Sequence, residues 1–170
     1  MKKKFAFALA AAAALLTLGS LNSCKEEEGG ISKEDIAYFE KQRDFIRQKK
    51  AALDEQGSPL YKEIVYLKDT LLYRILEEPT SEKADVNESS VINMVLKGQF
   101  TDGSIFQKEM EMTYMPKQLV YGLRPVLVAS QPGGKYEAIL PASLGYGYQT
   151  QRGIRGGSTL IFTFKVKGIK

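Results

Sequence analysis

The sequence predicts an α+β domain of several antiparallel strands and one short helix, spanning about residues 70–170. Residues 158–169 alternate apolar and polar side chains, which is the period of a strand with one buried face. Asp102 and Gly103 lie between two strand-like segments and are typical of a hairpin turn. Residues 117–130 repeat apolar side chains at close to 3.6-residue spacing, which indicates a core helix.

The first 24 residues predict a secretory signal followed by a lipid anchor. Residues 2–4 are lysines, residues 5–18 form an apolar run too short to span a membrane, and a Leu-Asn-Ser-Cys tetrapeptide ends at Cys24. This tetrapeptide is similar to a bacterial lipobox, in which the signal, here residues 1–23, is removed and the cysteine is acylated. The alternative is an ordinary signal that a cysteine happens to follow.

The composition excludes several classes of chemistry. The chain has no histidine and one cysteine, which the lipid would occupy. Serine–histidine and cysteine–histidine pairs, histidine-ligated metals and internal disulfides are therefore excluded, and we expect no metal and no cofactor. The net charge of +4 falls to +1 without the three lysines of the signal, so the charge is no indication of nucleic-acid binding.

Two segments precede the domain. Residues 24–31 form an acidic tether that ends in glycines, and residues 32–57 have the composition of a helix. Ser32 and Asp35 form a start that resembles a capping box. The helix has a narrow apolar stripe, so we expect it to pack on the body or on a twin, with residues 32–56 as the candidate homodimer surface. The stripe consists of Ile36, Phe39, Ile46 and Leu53.

The remaining segments read mostly as strands. Residues 58–69 are a linker or first strand, and the strand-like segments 63–67 and 71–76 together also fit a helical period. Further strands are predicted at 91–100, 112–115 and 135–140. Pro125 falls in the predicted core helix and is compatible with it only in the first turn.

A series of short motifs follows one another from residue 71 to residue 164. They are Leu-Leu-Tyr-Arg-Ile-Leu (71–76), Leu-Lys-Gly (96–98), Asp-Gly-Ser-Ile-Phe-Gln (102–107), Leu-Val-Tyr-Gly-Leu (119–123), Gly-Gly-Lys (133–135), Ile-Leu-Pro (139–141), Gly-Tyr-Gly (145–147), Ile-Arg-Gly-Gly (154–157) and Thr-Leu-Ile-Phe-Thr-Phe (159–164). In order and spacing this series resembles the FKBP-type peptidyl-prolyl isomerases. The resemblance covers roughly residues 70–170.

The resemblance implies an antiparallel sheet of about five strands wrapped around one short helix, with a pocket between sheet and helix. It places Tyr146, Phe106 and Gln107 at the catalytic positions of that pocket. Six further residues would bind the substrate: Leu96, Leu119, Val120, Leu123, Ile154 and Phe162. For any one apolar member taken alone, ordinary core is the better explanation. Tyr146 stands between two glycines, which favours an exposed ring over packing, with a plain turn as the alternative.

The chemistry implied by the resemblance agrees with the missing histidine. Rotation about a prolyl amide crosses a barrier of ~18–20 kcal/mol but breaks no bond, so it requires neither a nucleophile nor an acid–base pair. An apolar cavity accelerates the rotation by binding the twisted amide better than the planar forms. In this scheme the hydroxyl of Tyr146 would donate a hydrogen bond to a substrate carbonyl.

The pocket positions also depart from the family pattern. The family has a tyrosine where this chain has Leu96, an aspartate at Gln107, a tryptophan at Leu123, and an Ile-Pro-Pro loop at residues 154–157. Three functions therefore stay open. The first is an isomerase that acts on proline-containing segments of exported proteins, lipid-anchored at the bacterial cell envelope on the periplasmic or surface face of the outer membrane. The second is a catalytically weak binding module of the same fold, and the third is a structural lipoprotein that dimerises through its terminal helix.

Overall fold

The computed structural model describes residues 31–81 and 84–170. The predicted signal, the lipidation at Cys24 and all but the last residue of the predicted tether lie outside the described residues. The described residues belong to one compact unit, Ile31–Lys170. Its elements are α1 Lys33–Lys50, β1 Lys62–Tyr66, β2 Asp69–Glu77, β3 Ile92–Phe100, β4 Ile105–Tyr114, α2 Leu123–Ala129, β5 Lys135–Leu140 and β6 Leu160–Ile169. None of the helices in the described part is long and apolar enough to cross a membrane.

The strands form one antiparallel sheet in the order β1-β2-β5-β6-β3-β4, which confirms the α+β class. The sheet has six strands where about five were expected, because β1 pairs with β2 as an additional edge strand. Leu67 and Lys68 form the turn between them, with φ of 48° and 70°. Two left-handed residues are what a two-residue hairpin turn of type I′ requires.

The predicted hairpin at Asp102 and Gly103 joins β3 to β4. Gly103 has a φ of 87°, and the carboxylate of Asp102 accepts a hydrogen bond from the backbone N–H of Ser104 at 2.9 Å. Strand β4 is ten residues long, whereas the sequence indicated a short strand at residues 112–115. β4 lies at the sheet edge with much of its surface in solvent, so polar side chains along it are tolerated and hide the alternation.

Helix α2 packs on one face of the sheet and forms the core with it. Pro125 is the third residue of α2, within the first turn, where it removes no helical hydrogen bond. Leu123, Val126 and Leu127 of this helix are buried. They contact a cluster of buried strand residues: Leu71, Ile92, Met94, Leu96, Tyr136, Ala138, Leu140, Leu160, Phe162, Phe164 and Val166.

Helix α1 packs on the opposite face of the sheet of its own chain. The homodimer through residues 32–56 stays a prediction. Phe45 and Ile46 of this helix lie on a second apolar cluster formed by Tyr61, Leu72, Ile139 and Ile161. Two members of the predicted stripe are solvent-exposed, Ile36 at 46% and Leu53 at 60%. The buried residue of the helix is Gln42, whose Oε1 accepts a hydrogen bond from the backbone N–H of Thr159 at 2.9 Å.

Candidate functional site

A cavity of about 610 Å³ opens between α2, the strands β3, β4 and β6, and the loop of residues 141–159 that joins β5 to β6. We call this segment the β5–β6 loop. All nine side chains that the sequence predicted for the pocket line this one cavity: Leu96, Phe106, Gln107, Leu119, Val120, Leu123, Tyr146, Ile154 and Phe162. Their proximity is therefore a property of the fold, while the role of each remains a prediction.

Aromatic rings form the strand side of the cavity. The ring of Phe106 contacts Phe162 edge-on, with 5.4 Å between centroids and 87° between planes, and lies 5.1 Å from the ring of Phe100. Phe106 also lies directly over Gly98 of β3, where an added Cβ would come within 2.5 Å of the ring carbon Cζ. Because Gly98 has no side chain, the ring of Phe106 can lie close to the backbone of β3.

Apolar side chains close the bottom of the cavity. Leu123 at the start of α2 is 1% exposed, Leu96 of β3 is 4% exposed and Ile154 of the β5–β6 loop is 5% exposed. Gly122 allows α2 to begin close to the sheet, because a Cβ there would lie 2.7 Å from a methyl carbon of Leu140. Water-excluding walls of this kind strengthen any hydrogen bond made inside them.

Tyr146 lies at the rim on a loop that is closed by its own backbone. The N–H of Gly147, at a φ of 81°, donates to the carbonyl of Ala142 at 2.8 Å, and the N–H of Gly157 donates to the carbonyl of Gly147 at 2.9 Å. The ring of Tyr146 is half-buried against the core. Among residues 31–81 and 84–170 its hydroxyl has no hydrogen-bond partner, so this donor is available to a ligand.

The tip of the same loop completes the cavity wall. Gln151 and Ile154 exchange two backbone hydrogen bonds, of 3.0 and 2.9 Å, around a turn in which Arg152 and Gly153 are left-handed. This turn directs Ile154 into the cavity and places Arg152 on the rim. The glycine-rich segment before β6 is therefore both a hairpin-like tip and a pocket wall.

Gln107 carries no charge, and its side chain is hydrogen-bonded to the neighbouring backbone. Its side-chain Nε2 donates to the backbone carbonyl of Lys108 at 3.1 Å, and the side chain is partly exposed. The described residues that line the cavity include no aspartate or glutamate. The described part of the cavity lining therefore carries no negative charge.

Sequence reasoning missed several residues of the rim, and two of them are cationic. Arg124 holds its guanidinium carbon 4.3 Å from the centroid of the Tyr121 ring, and its Nε donates to the carbonyl of Leu119 at 3.2 Å. Within the part of the chain that the structure describes, neither Arg124 nor Arg152 forms an ion pair. The other lining residues that were missed are Met112, Tyr114, Gln118, Tyr121 and Gly145.

Comparison with known proteins agrees with this geometry. A model of the family described as FKBP-type peptidyl-prolyl cis-trans isomerase matches residues 82–167. No curated protein sequence matches the chain. A peptidyl-prolyl cis-trans isomerase structure from Pseudomonas syringae pv. tomato aligns with a TM-score of 0.68 at 20% identity, over 83% of this chain and 99% of that one.

A second solved structure, FkpA from Escherichia coli, aligns with a TM-score of 0.57 at 22% identity. The alignment covers 81% of this chain but 60% of FkpA. At these identities the structural likeness concerns the fold alone, and it confirms the predicted FKBP-like arrangement of sheet and helix.

Proposed function

The chain belongs to the FKBP-type peptidyl-prolyl cis-trans isomerase family, and on that premise we propose that it catalyses cis–trans isomerisation of Xaa-Pro bonds in exported proteins at the bacterial cell envelope. The observation that carries the proposal is that Tyr146, whose hydroxyl has no partner among the described residues, lines the same cavity as the aromatic wall of Phe106 and Phe162. A hydrogen-bond donor beside an apolar wall suits an amide that loses resonance as it twists.

In the proposed mechanism the proline ring enters the cavity against Phe106, Phe162 and Leu123. The planar amide resists rotation because of its C–N double-bond character, which sets a barrier of ~18–20 kcal/mol. At the twisted geometry the amide loses resonance, and an apolar environment stabilises this less polar form relative to the planar ones. Tyr146 donates to a carbonyl of the substrate and keeps the peptide in register. No proton is transferred.

Exchange NMR on an Xaa-Pro peptide tests the activity. We expect the purified protein to accelerate cis–trans exchange, and Tyr146→Phe to lower kcat/KM by about 10-fold, the order of effect of one hydrogen-bond donor in a dry site. Tyr148→Phe is the matched control: Tyr148 lies two residues away, is 64% exposed and does not line the cavity. Exchange at the uncatalysed rate would contradict the isomerase proposal.

A second candidate function is a binding module of the same fold that does not accelerate rotation. Gln107 stands where the family has an aspartate, and Tyr114 and Tyr121 expose 41% and 49% of their surface beside the cavity. These rings would hold extended client segments. The binding module predicts peptide binding and suppressed aggregation of an unfolded client with no change in the exchange rate. A structural lipoprotein that acts through its helix would show neither effect.

The envelope location is supported by the sequence of the first 24 residues. Acylation of Cys24 would hold the protein at the outer membrane, on its periplasmic or surface face, where exported chains fold. Mass spectrometry of the mature protein would detect a diacylglyceryl cysteine at its amino terminus, and Cys24→Ala should leave the signal uncleaved and the lipid unattached. A mature protein that begins at any other residue and carries no lipid would contradict the anchor.

A further inference from the structure

Helix α1 contacts the β5–β6 loop on the side opposite the cavity, and we propose that it acts as a brace that positions Tyr146 and Ile154 for substrate. This inference rests on the proposed function, because it assigns to α1 a part in that same site. Helix α1 lies outside the matched family segment, residues 82–167.

The first contact is a clamp on Arg155. The guanidinium of Arg155 donates to the carboxylate of Asp35 at 2.9 Å, and its central carbon lies 4.1 Å from the centroid of the Tyr38 ring. Both partners come from the first two turns of α1. Arg155 follows Ile154, which is buried in the cavity wall, so adjacent residues connect the helix and the cavity.

The second contact is made by Phe39, which occupies the space left by a missing side chain. A Cβ on Gly157 would lie 2.0 Å from Cε1 of Phe39, so the ring lies directly against the loop backbone. The same ring meets Tyr148 edge-on, with 5.6 Å between centroids. Phe39 therefore contacts the loop at two places, two residues after Tyr146 and just before β6.

The third contact fixes the end of the loop by hydrogen bonds. The hydroxyls of Tyr38 and Ser158 lie 2.7 Å apart, and Ser158 also donates to the carbonyl of Arg155 at 2.7 Å. One turn further along the helix, the buried side chain of Gln42 accepts from the N–H of Thr159. Buried polar groups of this kind are costly to leave unpaired, so they fix the position of the helix against the loop.

These contacts act on the cavity because the loop is internally tied. The bonds between Gly147 and Gly157 and between Gln151 and Ile154 make the tip move as one piece. Loss of the outer contacts would let that piece tilt, which lowers the fraction of molecules with a binding-competent cavity. The apparent affinity falls in proportion to that fraction, whereas the chemistry within the bound complex is unchanged. A brace therefore predicts a rise in KM at constant kcat.

The test uses the full protein with Arg155→Gln and Phe39→Ala, since neither residue lines the cavity. The matched control is Lys50→Gln, which removes an ion pair of 2.8 Å that the far end of α1 makes with Glu63. We expect amide hydrogen exchange of residues 147–157 to accelerate about twofold to fivefold in Arg155→Gln and about tenfold in Phe39→Ala. KM should rise by matching factors. The control should change neither quantity.

Unchanged loop exchange and unchanged KM in both variants, with the proteins folded by circular dichroism, would overturn the brace. So would equal changes in Lys50→Gln, because the effect would then report general stability. Hydrogen exchange does not depend on turnover. If the wild-type protein fails to accelerate prolyl exchange, the proposed function falls while the hydrogen-exchange comparison still decides whether α1 holds the loop.

Discussion

Substitution of Gly98 by alanine tests the position of the Phe106 ring in the cavity wall, because it adds a single methyl group beneath that ring. In Gly98→Ala the new Cβ would lie 2.5 Å from Cζ and 2.6 Å from Cε2 of Phe106, and 3.0 Å from Cβ of Gln107. Carbon atoms in contact are ordinarily about 3.5–4.0 Å apart, so the ring has to move by about 1 Å. Phe162 and Phe100 hold it on the other sides.

Two opposing terms decide the size of the effect. Alanine is favoured over glycine within a strand by about 0.5–1 kcal/mol, because glycine loses more conformational freedom on folding. Overpacking in a well-packed region costs about 1–3 kcal/mol. Gly98→Ala should therefore lower the free energy of unfolding by up to about 2 kcal/mol, and displacement of Phe106 should reduce kcat/KM as well.

Gly168→Ala is the control that measures the conformational effect of a glycine-to-alanine change within a strand without a steric clash. Gly168 also lies within a strand, is not in the left-handed region, and has no atom within 4 Å of an added Cβ. It should be neutral or raise the free energy of unfolding by up to about 1 kcal/mol. Urea unfolding of both variants gives the difference, expected at about 1–3 kcal/mol. Equal stabilities, with unchanged ring resonances of Phe106, would refute the assigned wall.

Three further predictions concern charge. Peptides with glutamate beside the proline should be isomerised about twofold to tenfold faster at low salt than peptides with lysine there, because Arg124 and Arg152 line the rim without a carboxylate. Replacing both arginines by glutamine should abolish this difference. A preference that persists in the double variant, or that does not depend on salt, would contradict the prediction. The second prediction is a rate that is flat between about pH 5 and 8, since the chain has no histidine and the described cavity lining has no carboxylate. The Arg155 guanidinium, followed by the hydroxyl of Ser32, holds the pKa of Asp35 below its ordinary value of 3.8. The stabilisation by Asp35 is therefore fully present above about pH 5 and is lost as pH falls through the lowered pKa, so urea unfolding of wild type and Asp35→Asn should converge in acid; a constant difference down to about pH 2 would contradict it.

The sequence contained enough information to predict the cavity, because its motifs follow one another in the order and spacing of the family. Phe106, Tyr146 and Ile154 are far apart in the chain and meet on one cavity. The position of Pro125 in the first turn of α2 also follows from local chemistry alone. These features depend on neighbouring residues or on the order of motifs that the chain shares with the family, and either is visible in a sequence.

Other features depend on distant partners and give no local signal. Leu67 and Lys68 adopt a left-handed turn without glycine or asparagine, because the pairing of β1 with β2 imposes it. The side chain of Gln42 is buried and accepts a hydrogen bond from the backbone N–H of Thr159. The helical periodicity of the sequence does not reveal such a distant partner. The cationic rim likewise arises from Arg124, next to Leu123, and from Arg152, two residues before Ile154, which the fold brings to the cavity.

The pairing of β2 with β5 decides how short this protein can be made. Leu72 of β2 faces Ile139 of β5 in register, and both are almost fully buried. A fragment limited to the matched family segment, residues 82–167, would lack β2. Strand β5 would then become an edge strand with unpaired backbone N–H and C=O groups and exposed apolar side chains. Such a fragment would be prone to aggregation, so a shortened form of the protein has to retain the hairpin of β1 and β2.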